Sequence, residues 1–233
     1  MIVNSNLSSL LNVENLSSKI IQIYGEAATG KSTLAMSLSK LLNMRKSDYM
    51  FWIDTERKFS AKKYETLDLE SKEPKEPIDR RQPFVTQLST LKQQENAIKT
   101  IINSNSDTNP IFPVGMIVID TFSNLLRKKF NDLSYTKYVN LTKDFIKNQI
   151  NPLLRFQNKT DCYLIFVHQV TYVPDIGNLP FLHRVFSQIE SAWIELSKDR
   201  ENNELNMEIR NNNQRVETTF EISQKGLIFQ PVS

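Results

Sequence analysis

The sequence predicts an α/β fold in which helices cover both faces of a mostly parallel β-sheet. Short apolar runs of strand length, rich in β-branched and aromatic residues, alternate with amphipathic stretches along most of the 233 residues. Such an alternation is typical of parallel sheets, because a strand reaches its parallel neighbour through a crossover that is usually a helix. The runs are also nearly continuously apolar, as expected for strands that are covered on both faces.

Five apolar runs are predicted to be buried strands. They are "KIIQIY" (19–24), "YMFWID" (49–54), "PFVTQL" (83–88), "GMIVID" (115–120) and "CYLIFVH" (162–168). Between them, apolar residues recur at helical spacing after residue 30 and again from Leu91 to Ile101. A longer amphipathic stretch, 135–156, predicts a further helix that Pro152 bends or ends.

The pattern changes after residue 190. The runs "AWIEL", "LNMEIR", "VETTFEIS" and "GLIF" have strand length and are separated by residues that favour turns. They predict an antiparallel extension of the sheet over 191–233, without further helices. The whole chain, 1–233, is predicted to form a single domain with an N-terminal segment, 1–17, and two mobile loops, 68–83 and 103–113.

Composition narrows the function only slightly. The 29 Lys and Arg residues against 26 Asp and Glu give a net charge of +3, which is too small an excess to indicate a polyanionic partner by itself. The single cysteine, Cys162, lies in an apolar run and is predicted to be a buried hydrophobic residue in a reducing compartment. Neither a signal sequence nor an apolar stretch of about 18 residues is present, so we expect a cytoplasmic protein with no membrane partner.

The motif Gly25-x-x-x-x-Gly30-Lys31-Ser32 lies between a predicted strand and a predicted helix, which is the setting of a phosphate-binding loop. Glycine allows backbone N–H groups to converge on phosphate oxygens, and the helix N-terminus adds partial positive charge. Lys31 is expected to reach the β- and γ-phosphates of a bound nucleotide, and the Ser32 hydroxyl to bind Mg²⁺. The alternative is a tight turn without a ligand. The predicted nucleotide-binding residues are Gly25, Glu26, Ala27, Ala28, Thr29, Gly30, Lys31, Ser32 and Thr33.

Acidic residues end two further predicted strands, where ligands gather in open parallel sheets. Asp120 has the form of the acid that serves Mg²⁺ together with Ser32, although it is also suited to cap a helix beginning at Thr121. Asp54 and Glu56 follow another strand, and Glu56 is the candidate that polarises the attacking water. Its alternative role is that of a solvated loop carboxylate.

The run "LIFVHQV" ends the fifth predicted strand with His168 and Gln169. A polar side chain at this position is suited to sense the γ-phosphate. For His168 the residues favour a simpler role, a histidine that makes a hydrogen bond at a strand end, because no metal-binding partner is evident in the sequence.

Five segments carry a resemblance to a known family, in its order and spacing. They are "IIQIYGEAATGKSTLAMSLS", "FWIDTERKFSAKKYE", "MIVIDTFSNLLRKKF", "YLIFVHQVTYV" and "LPFLHRVFSQIESAWIEL". Over roughly residues 18–230 the chain resembles the core of the RecA/RadA recombinases, and most closely the short, RadB-like paralogues of archaea.

The resemblance implies a RecA-like P-loop NTPase core with ATP and Mg²⁺ as cofactors. It implies that Lys31 and Ser32 bind ATP and Mg²⁺, that Asp120 serves Mg²⁺, and that Glu56 activates water. It also implies that Gln169 couples the nucleotide to DNA-binding loops. The catalytic residues are accordingly expected to be Glu56, Lys31 and Gln169.

The chain departs from the family pattern at three places and in length. Arg57 stands where glycine is usual, His168–Gln169 stands where Asn-Gln is usual, and Phe181–Leu182 replaces two glycines ahead of His183. Only 24 residues precede Gly25, so the N-terminal DNA-binding domain and polymerisation arm of longer recombinases are not expected. These departures argue against filament formation and rapid turnover.

Basic residues indicate where DNA would bind. Arg127, Lys128 and Lys129 follow the Asp120 strand, and lysines 143 and 147 recur at helical spacing, but solvated helix ends explain both groups equally well. Tyr172 is placed either to stack on a base or to pack on the domain.

Taken with the resemblance, the sequence predicts a weak, DNA-dependent ATPase that assists homologous recombination and DNA repair. Its expected partners are DNA, in particular single-stranded DNA, the main recombinase or other repair proteins, and further copies of itself. Two alternatives stay open at this point. One is a non-hydrolysing adaptor that the nucleotide locks in its fold, and the other is a P-loop kinase of small molecules.

Overall fold

The computed structural model describes residues 18–42, 48–67, 82–105, 112–130, 133–199, 201–211, 214–223 and 225–229. The predicted N-terminal segment, 1–17, lies outside these ranges. So do 68–81 and 106–111, which make up most of the two predicted loops.

The strands in the described residues belong to one sheet and one added hairpin strand. They are β1 (Ile20–Gly25), β2 (Tyr49–Asp54), β3 (Phe84–Gln87), β4 (Val114–Asp120), β5 (Tyr163–Val173), β6 (Gly177–Pro180), β7 (Ala192–Lys198), β8 (Leu205–Asn211), β9 (Gln214–Ser223) and β10 (Gly226–Phe229).

The helices of the described residues precede β7. They are α1 (Lys31–Leu41), α2 (Ala61–Thr66), α3 (Leu91–Asn103), α4 (Asn124–Phe130), α5 (Tyr135–Phe145), α6 (Asn151–Thr160) and α7 (His183–Phe186), with a π-helical turn (Ile146–Ile150) between α5 and α6.

The strand order is β10-β9-β8-β7-β1-β5-β4-β2-β3, and β6 pairs with β5 outside this path. The strands from β7 to β3 along this order are parallel, and β8, β9 and β10 continue the sheet in antiparallel pairs. The mostly parallel sheet with an antiparallel C-terminal part is therefore confirmed. One strand differs from the prediction: β7, which was predicted to belong to the antiparallel part, pairs in parallel with β1.

Apolar side chains fill both faces of the sheet. On one face, α1 packs on β1, β4, β5 and β10, and Leu34 and Leu38 are fully buried there with Trp52. On the other face, α3, α4 and α6 pack around Phe122 and Phe166, whose rings stack at 4.6 Å. Cys162 is buried on this second face, as predicted from its apolar neighbours. The helices therefore cover the two faces that the continuous apolar runs require.

The prediction of a buried strand over 83–88 is wrong in one respect. A strand forms at Phe84–Gln87, but its side chains are exposed, Phe84 by 47% and Val85 by 37%. The reason is its place in the sheet, because β3 is the last strand and pairs only with β2. Apolar composition does not distinguish an edge strand from a central one.

The predicted helix over 135–156 continues to Thr160 and is not ended by Pro152. Instead, the π-helical turn ends at Ile150, two residues before Pro152, whose missing N–H interrupts the regular hydrogen-bond ladder. The wider turn lets the chain pass the proline while remaining helical. None of the helices in the described parts of the chain has the length and hydrophobicity that a membrane crossing requires.

Candidate nucleotide-binding site

The carboxyl ends of β1, β2, β4 and β5 lie side by side, and the loops that follow them surround a cavity of about 580 Å³. Side chains from each of these four strand ends line it. All five residues that the sequence predicts to be catalytic or metal-binding line this cavity: Lys31, Ser32, Glu56, Asp120 and Gln169.

The loop between β1 and α1 has the backbone that its glycines allow. A Cβ on Gly25, whose φ is +154°, would lie 2.0 Å from the Leu196 carbonyl oxygen of the neighbouring strand β7. Gly30 has a φ of 90° and directly precedes the first residue of α1, Lys31. The N–H groups of the first turn of a helix have no partner within that helix, so this loop presents donors to an anion.

The Lys31 ammonium lies over the same loop. It donates to the carbonyl oxygen of Gly25 at 2.9 Å and to that of Glu26. Burial lowers the pKa of Lys31, although the nearby carboxylates of Asp120 and Glu56 favour its charged form. The Thr29 hydroxyl also donates to the Glu26 carbonyl, at 2.9 Å, so the loop is held by its own side chains.

Asp120 and Ser32 lie next to each other at the base of the cavity. Asp120 is only 5% exposed, and burial raises its pKa to about 6 despite a hydrogen bond from the Ser32 hydroxyl. The helix after Asp120 begins at Asn124, not at Thr121, so Asp120 is not in the position of a helix cap. The carboxylate is therefore held beside a hydroxyl in a buried site, a pairing of oxygen donors that suits Mg²⁺.

Glu56 is held by three side chains. Thr121 Oγ1 donates to Glu56 Oε1 at 2.8 Å, Gln169 Nε2 donates to the same oxygen, and Lys58 forms an ion pair with Oε2. Burial favours the neutral carboxyl, but the hydrogen bond and charge of Lys58, with the other two donors, lower the pKa of Glu56. The Glu56 side chain is only 12% exposed, so its alternative as a solvated loop carboxylate is wrong.

Asp54 has a different position from Glu56. It is fully buried, and it accepts hydrogen bonds from the backbone N–H groups of Glu56 at 3.1 Å and Phe59 at 2.9 Å. Asp54 therefore shapes the loop that carries Glu56, and it does not line the cavity.

His168 and Gln169 point to different sides of β5. Gln169 lines the cavity, whereas His168 is fully buried, with its Nε2 3.2 Å from Gln22 Oε1 and its ring against Phe186. Burial lowers the pKa of His168 to about 3. This is the hydrogen-bonded strand-end histidine that the sequence favoured.

Sequence reasoning missed four polar side chains that line the cavity: Lys58, Lys63, Thr121 and, as a cavity residue, Arg127. Lys63 Nζ donates to Thr33 Oγ1 at 2.6 Å, and Arg127 Nη1 donates to the Val170 carbonyl at 3.2 Å. The available signal was local for the lysines, because both lie within seven residues of Glu56. Nothing in the sequence indicated that Arg127 turns inward while Lys128 and Lys129 stay exposed.

The β5–β6 hairpin is connected to the phosphate loop. Asn178 Nδ2 on β6 donates to Glu26 Oε1 at 2.7 Å, while Gln169 at the other end of the hairpin contacts Glu56. Tyr172, on β5 in the same hairpin, is 70% exposed, so its alternative of packing on the domain is wrong. Lysines 143 and 147 are exposed on α5 and on the π-helical turn.

These residues fit ATP and Mg²⁺. Gly25 and Gly30 both have positive φ values, which lets the backbone of this loop turn its N–H groups toward an anion. The hydroxyl of Ser32 and the carboxylate of Asp120 are hard oxygen donors. Lys31, Lys58, Lys63 and Arg127 add positive charge around the cavity, which favours a polyanion.

Comparison with known proteins gives two findings. The sequence is 32% identical over 173 residues to a protein named "DNA repair and recombination protein RadB" from Thermococcus sibiricus (strain DSM 12597 / MM 739), and the match covers 72% of this chain and 67% of the relative. The fold is similar to a solved structure described as "Crystal structure of the RadB recombinase", with a TM-score of 0.67 and 20% identity over 96% of each chain. No protein-family model matches the sequence.

Proposed function

Because the chain belongs to the RadB family within the RecA/RadA superfamily, we propose that it binds ATP with Mg²⁺ in the 580 Å³ cavity and hydrolyses ATP slowly. One observation carries this proposal. Lys31 at the start of α1, Glu56 after β2 and Asp120 at the end of β4 converge on a single cavity beside a glycine-containing loop. Such a convergence of opposite charges is expected where a triphosphate and a divalent cation are bound together.

Each residue has a separate part in the reaction. The loop N–H groups and Lys31 would bind the phosphate oxygens, and Ser32 and Asp120 would hold Mg²⁺. Bound Mg²⁺ supplies positive charge that stabilises the negative charge developing on the phosphates. Glu56 would accept a proton from the attacking water, since its carboxylate is ionised and lines the same cavity.

Gln169 would report the state of the nucleotide to the β5–β6 hairpin. It contacts Glu56 through its side chain, and its backbone carbonyl accepts from the Phe181 N–H at 3.0 Å, at the far end of the hairpin. Gln169 therefore connects Glu56 to both strands of this hairpin. The contact between Asn178 and Glu26 gives the hairpin a second connection to the phosphate loop.

Calorimetry with Mg²⁺ and ATP tests nucleotide binding. Lys31→Ala is expected to weaken binding about 100-fold, because a charged hydrogen-bond donor to phosphate is lost. The matched control is Lys198→Ala, since Lys198 is exposed at the end of β7 and should leave binding unchanged. The absence of heat with the wild-type protein, or equal affinity in Lys31→Ala, contradicts the proposal.

Phosphate release tests the role of Glu56. Glu56→Gln should retain ATP binding and lower hydrolysis about 100-fold or more, because the group that accepts the proton is lost. The control Glu217→Gln changes a carboxylate whose side chain is 64% exposed on β9, and it should hydrolyse ATP at the wild-type rate. Unchanged turnover in Glu56→Gln removes Glu56 from this role.

For the biological role, we propose that the protein assists homologous recombination and DNA repair by binding single-stranded DNA and another recombinase. The named relative supports this role. Lys128 and Lys129 are exposed on α4, and the Arg127 beside them lines the cavity, so DNA bound there would lie close to the nucleotide. We further propose that the chain acts as one domain and associates with copies of itself.

DNA binding is tested by its dependence on salt. Fluorescence titration of single-stranded DNA should give an affinity whose logarithm falls linearly with the logarithm of salt concentration. Replacing Lys128 and Lys129 together by alanine should reduce the magnitude of the slope by about 1.4, since each phosphate contact on a single strand contributes about 0.7. The control is the double replacement of Lys92 and Lys99, which are exposed on α3 and paired with Glu95. An unchanged slope places DNA elsewhere.

One observation favours a second candidate, an adaptor that binds ATP without hydrolysing it. Both oxygens of Glu56 are engaged by side chains of the protein itself, as described above. The two candidates differ in one result, because phosphate release that single-stranded DNA stimulates excludes the adaptor. ATP binding without any release, with or without DNA, favours it.

A further inference from the structure

Lys58 approaches Glu56 from the solvent side of the cavity. The Lys58 side chain is 63% exposed, whereas the Glu56 side chain is only 12% exposed, and the two form an ion pair at Glu56 Oε2. The other oxygen, Oε1, accepts from Thr121 and Gln169. Lys58 is therefore the one contact of Glu56, among the described residues, that comes from an exposed side chain.

The backbone of the loop after β2 sets this pairing. Asp54 accepts from the N–H groups of Glu56 and Phe59, which fixes both ends of the short segment between them. Between these residues Arg57 adopts a φ of 58°, and its side chain turns outward to donate to Ser89 Oγ at 2.8 Å. Lys58 directly follows this left-handed residue and pairs with Glu56 across the turn.

The ion pair opposes the role of a base. A carboxylate has about four positions at which it accepts hydrogen bonds, and the three donors around Glu56 already use most of them. An adjacent ammonium also stabilises the ionised carboxylate, which makes it a weaker acceptor of a proton from water. Thr121 and Gln169 orient Glu56 without adding a full charge, whereas Lys58 adds one.

We propose that Lys58 is a positioning residue that restrains Glu56, and that this ion pair keeps ATP hydrolysis slow. The inference rests on the proposed function, in which Glu56 activates water. The restraint acts within one subunit, because Lys58 belongs to the same chain as Glu56 and lies four residues after the end of β2.

The first test compares variants of Lys58 in the full chain. Lys58→Met should raise kcat, measured at saturating ATP and Mg²⁺, about fivefold, the factor expected for the loss of one partly exposed ion pair. Lys58→Arg keeps the charge and should keep most of the restraint. Lys62→Met is the matched control, because Lys62 is exposed on α2 nearby and should turn over at the wild-type rate.

A double variant separates a restraint on Glu56 from a general effect on the fold. The gain from Lys58→Met should vanish when Glu56→Gln is also present, because there is then no base to release. A gain of the same size in the Glu56→Gln background overturns the inference. Circular dichroism of each variant confirms that the fold is retained before rates are compared.

The second test does not depend on turnover. A zero-length carbodiimide reagent applied to the nucleotide-free full chain should join Lys58 to Glu56, and mass spectrometry should locate this link in the segment that follows β2. The link should be lost in Glu56→Gln and kept in Lys62→Met. The absence of the link in the wild-type protein overturns the inference.

The outcomes distinguish this inference from the proposed function. If Glu56→Gln abolishes hydrolysis but Lys58→Met leaves kcat unchanged or lowers it, the restraint by Lys58 is wrong and the proposed function stands. If the wild-type protein and Lys58→Met bind no ATP, the proposed function fails, and the inference fails with it. If both bind ATP and neither hydrolyses it, the inference is overturned and the adaptor is favoured.

Discussion

Charged side chains occupy two regions of this sheet, the candidate nucleotide cavity and the face of β7–β9 that carries Glu208, and their surroundings differ. In the cavity, Asp120 is buried near two other carboxylates, Asp54 and Glu56. On the face of β7–β9, Glu208 lies in register between Glu195 and Glu217, but arginine side chains separate these acids. Arg210 contacts Glu208 and Glu195, and Arg215 contacts Glu208 and Glu217.

The pKa values follow this difference. Burial, with the charges of Glu56 and Asp54, raises the pKa of Asp120 to about 6, whereas the hydrogen bond from Arg210 lowers the pKa of Glu208. At neutral pH the buried charge of Asp120 therefore lowers the stability of the fold, whereas the paired charge of Glu208 raises it. An acid whose charge the fold opposes indicates a site for a cation, while an acid paired with arginines on an exposed face is already neutralised.

The two regions meet where Gly25 of β1 pairs with Leu196 of β7, and this contact should be the most sensitive to change. Gly25→Ala would put a Cβ 2.0 Å from the Leu196 carbonyl oxygen, so we expect the free energy of unfolding to fall by about 4 kcal/mol. Chemical denaturation measures it. The matched control is Gly177→Ala in the β5–β6 hairpin, where φ is +99° but the space is open, and where about 1 kcal/mol is expected. Equal effects would show that φ, not the close approach, determines the need for glycine.

Asp120→Asn should give the next largest effect, and it should stabilise the nucleotide-free protein. Between pH 4 and pH 6 the folded protein keeps a proton on Asp120 that the unfolded chain has lost, so stability falls as the pH rises through this window. Removing the charge should therefore raise the free energy of unfolding at pH 7.5 by up to about 3 kcal/mol. Thermal unfolding without Mg²⁺ checks this, and the gain should disappear toward pH 4. A variant that is less stable at pH 7.5 contradicts the assigned cost. Binding of ATP with Mg²⁺ should weaken in the same variant.

Glu208→Gln should have the smallest effect and the opposite sign. The pKa of Glu208 is lowered in the folded protein, so its stabilising effect is present above pH 4.5 and is lost as the pH falls through the lowered pKa. Because the contacting arginines are more than half exposed, we expect a loss of less than about 1 kcal/mol at pH 7.5. The same unfolding experiment measures it, and high salt should reduce the difference. A gain in stability would remove the distinction between the two regions.

The parts of the fold that the sequence predicts are those that local patterns determine. Continuous apolar runs identified β1, β2, β4 and the buried part of β5, because strands covered on both faces contain few polar residues. The same pattern predicted β3 as buried, since composition does not report that a strand is last in the sheet. The continuation of β5 to Val173 and its hairpin with β6 were not predicted, because this segment contains Pro174 and Gly177, which favour turns.

The candidate site shows the same division. Of the nine loop residues that the glycine spacing predicted, seven line the cavity, all except Glu26 and Thr29, and the acids at strand ends predicted Glu56 and Asp120. The contacts of Glu56 with Thr121 and Gln169 join the ends of three strands that are distant in sequence. No local sequence pattern predicts the strand order that brings these ends together. Arg57 was recognised as unusual, but the consequence falls on its neighbour Lys58, whose direction depends on the turn.

The position of β1 in the middle of the sheet has a consequence for synthesis of the chain on the ribosome. β1 is translated first among the described strands, yet its two neighbours begin at Tyr163 and Ala192, in the last third of the chain. β1 and the loop that follows it therefore leave the ribosome early. The two strands that flank β1 are synthesised only after most of the polypeptide. A nascent chain that is arrested before β7 should not bind ATP. Its apolar β1, which still lacks a neighbouring strand, would be exposed to chaperones.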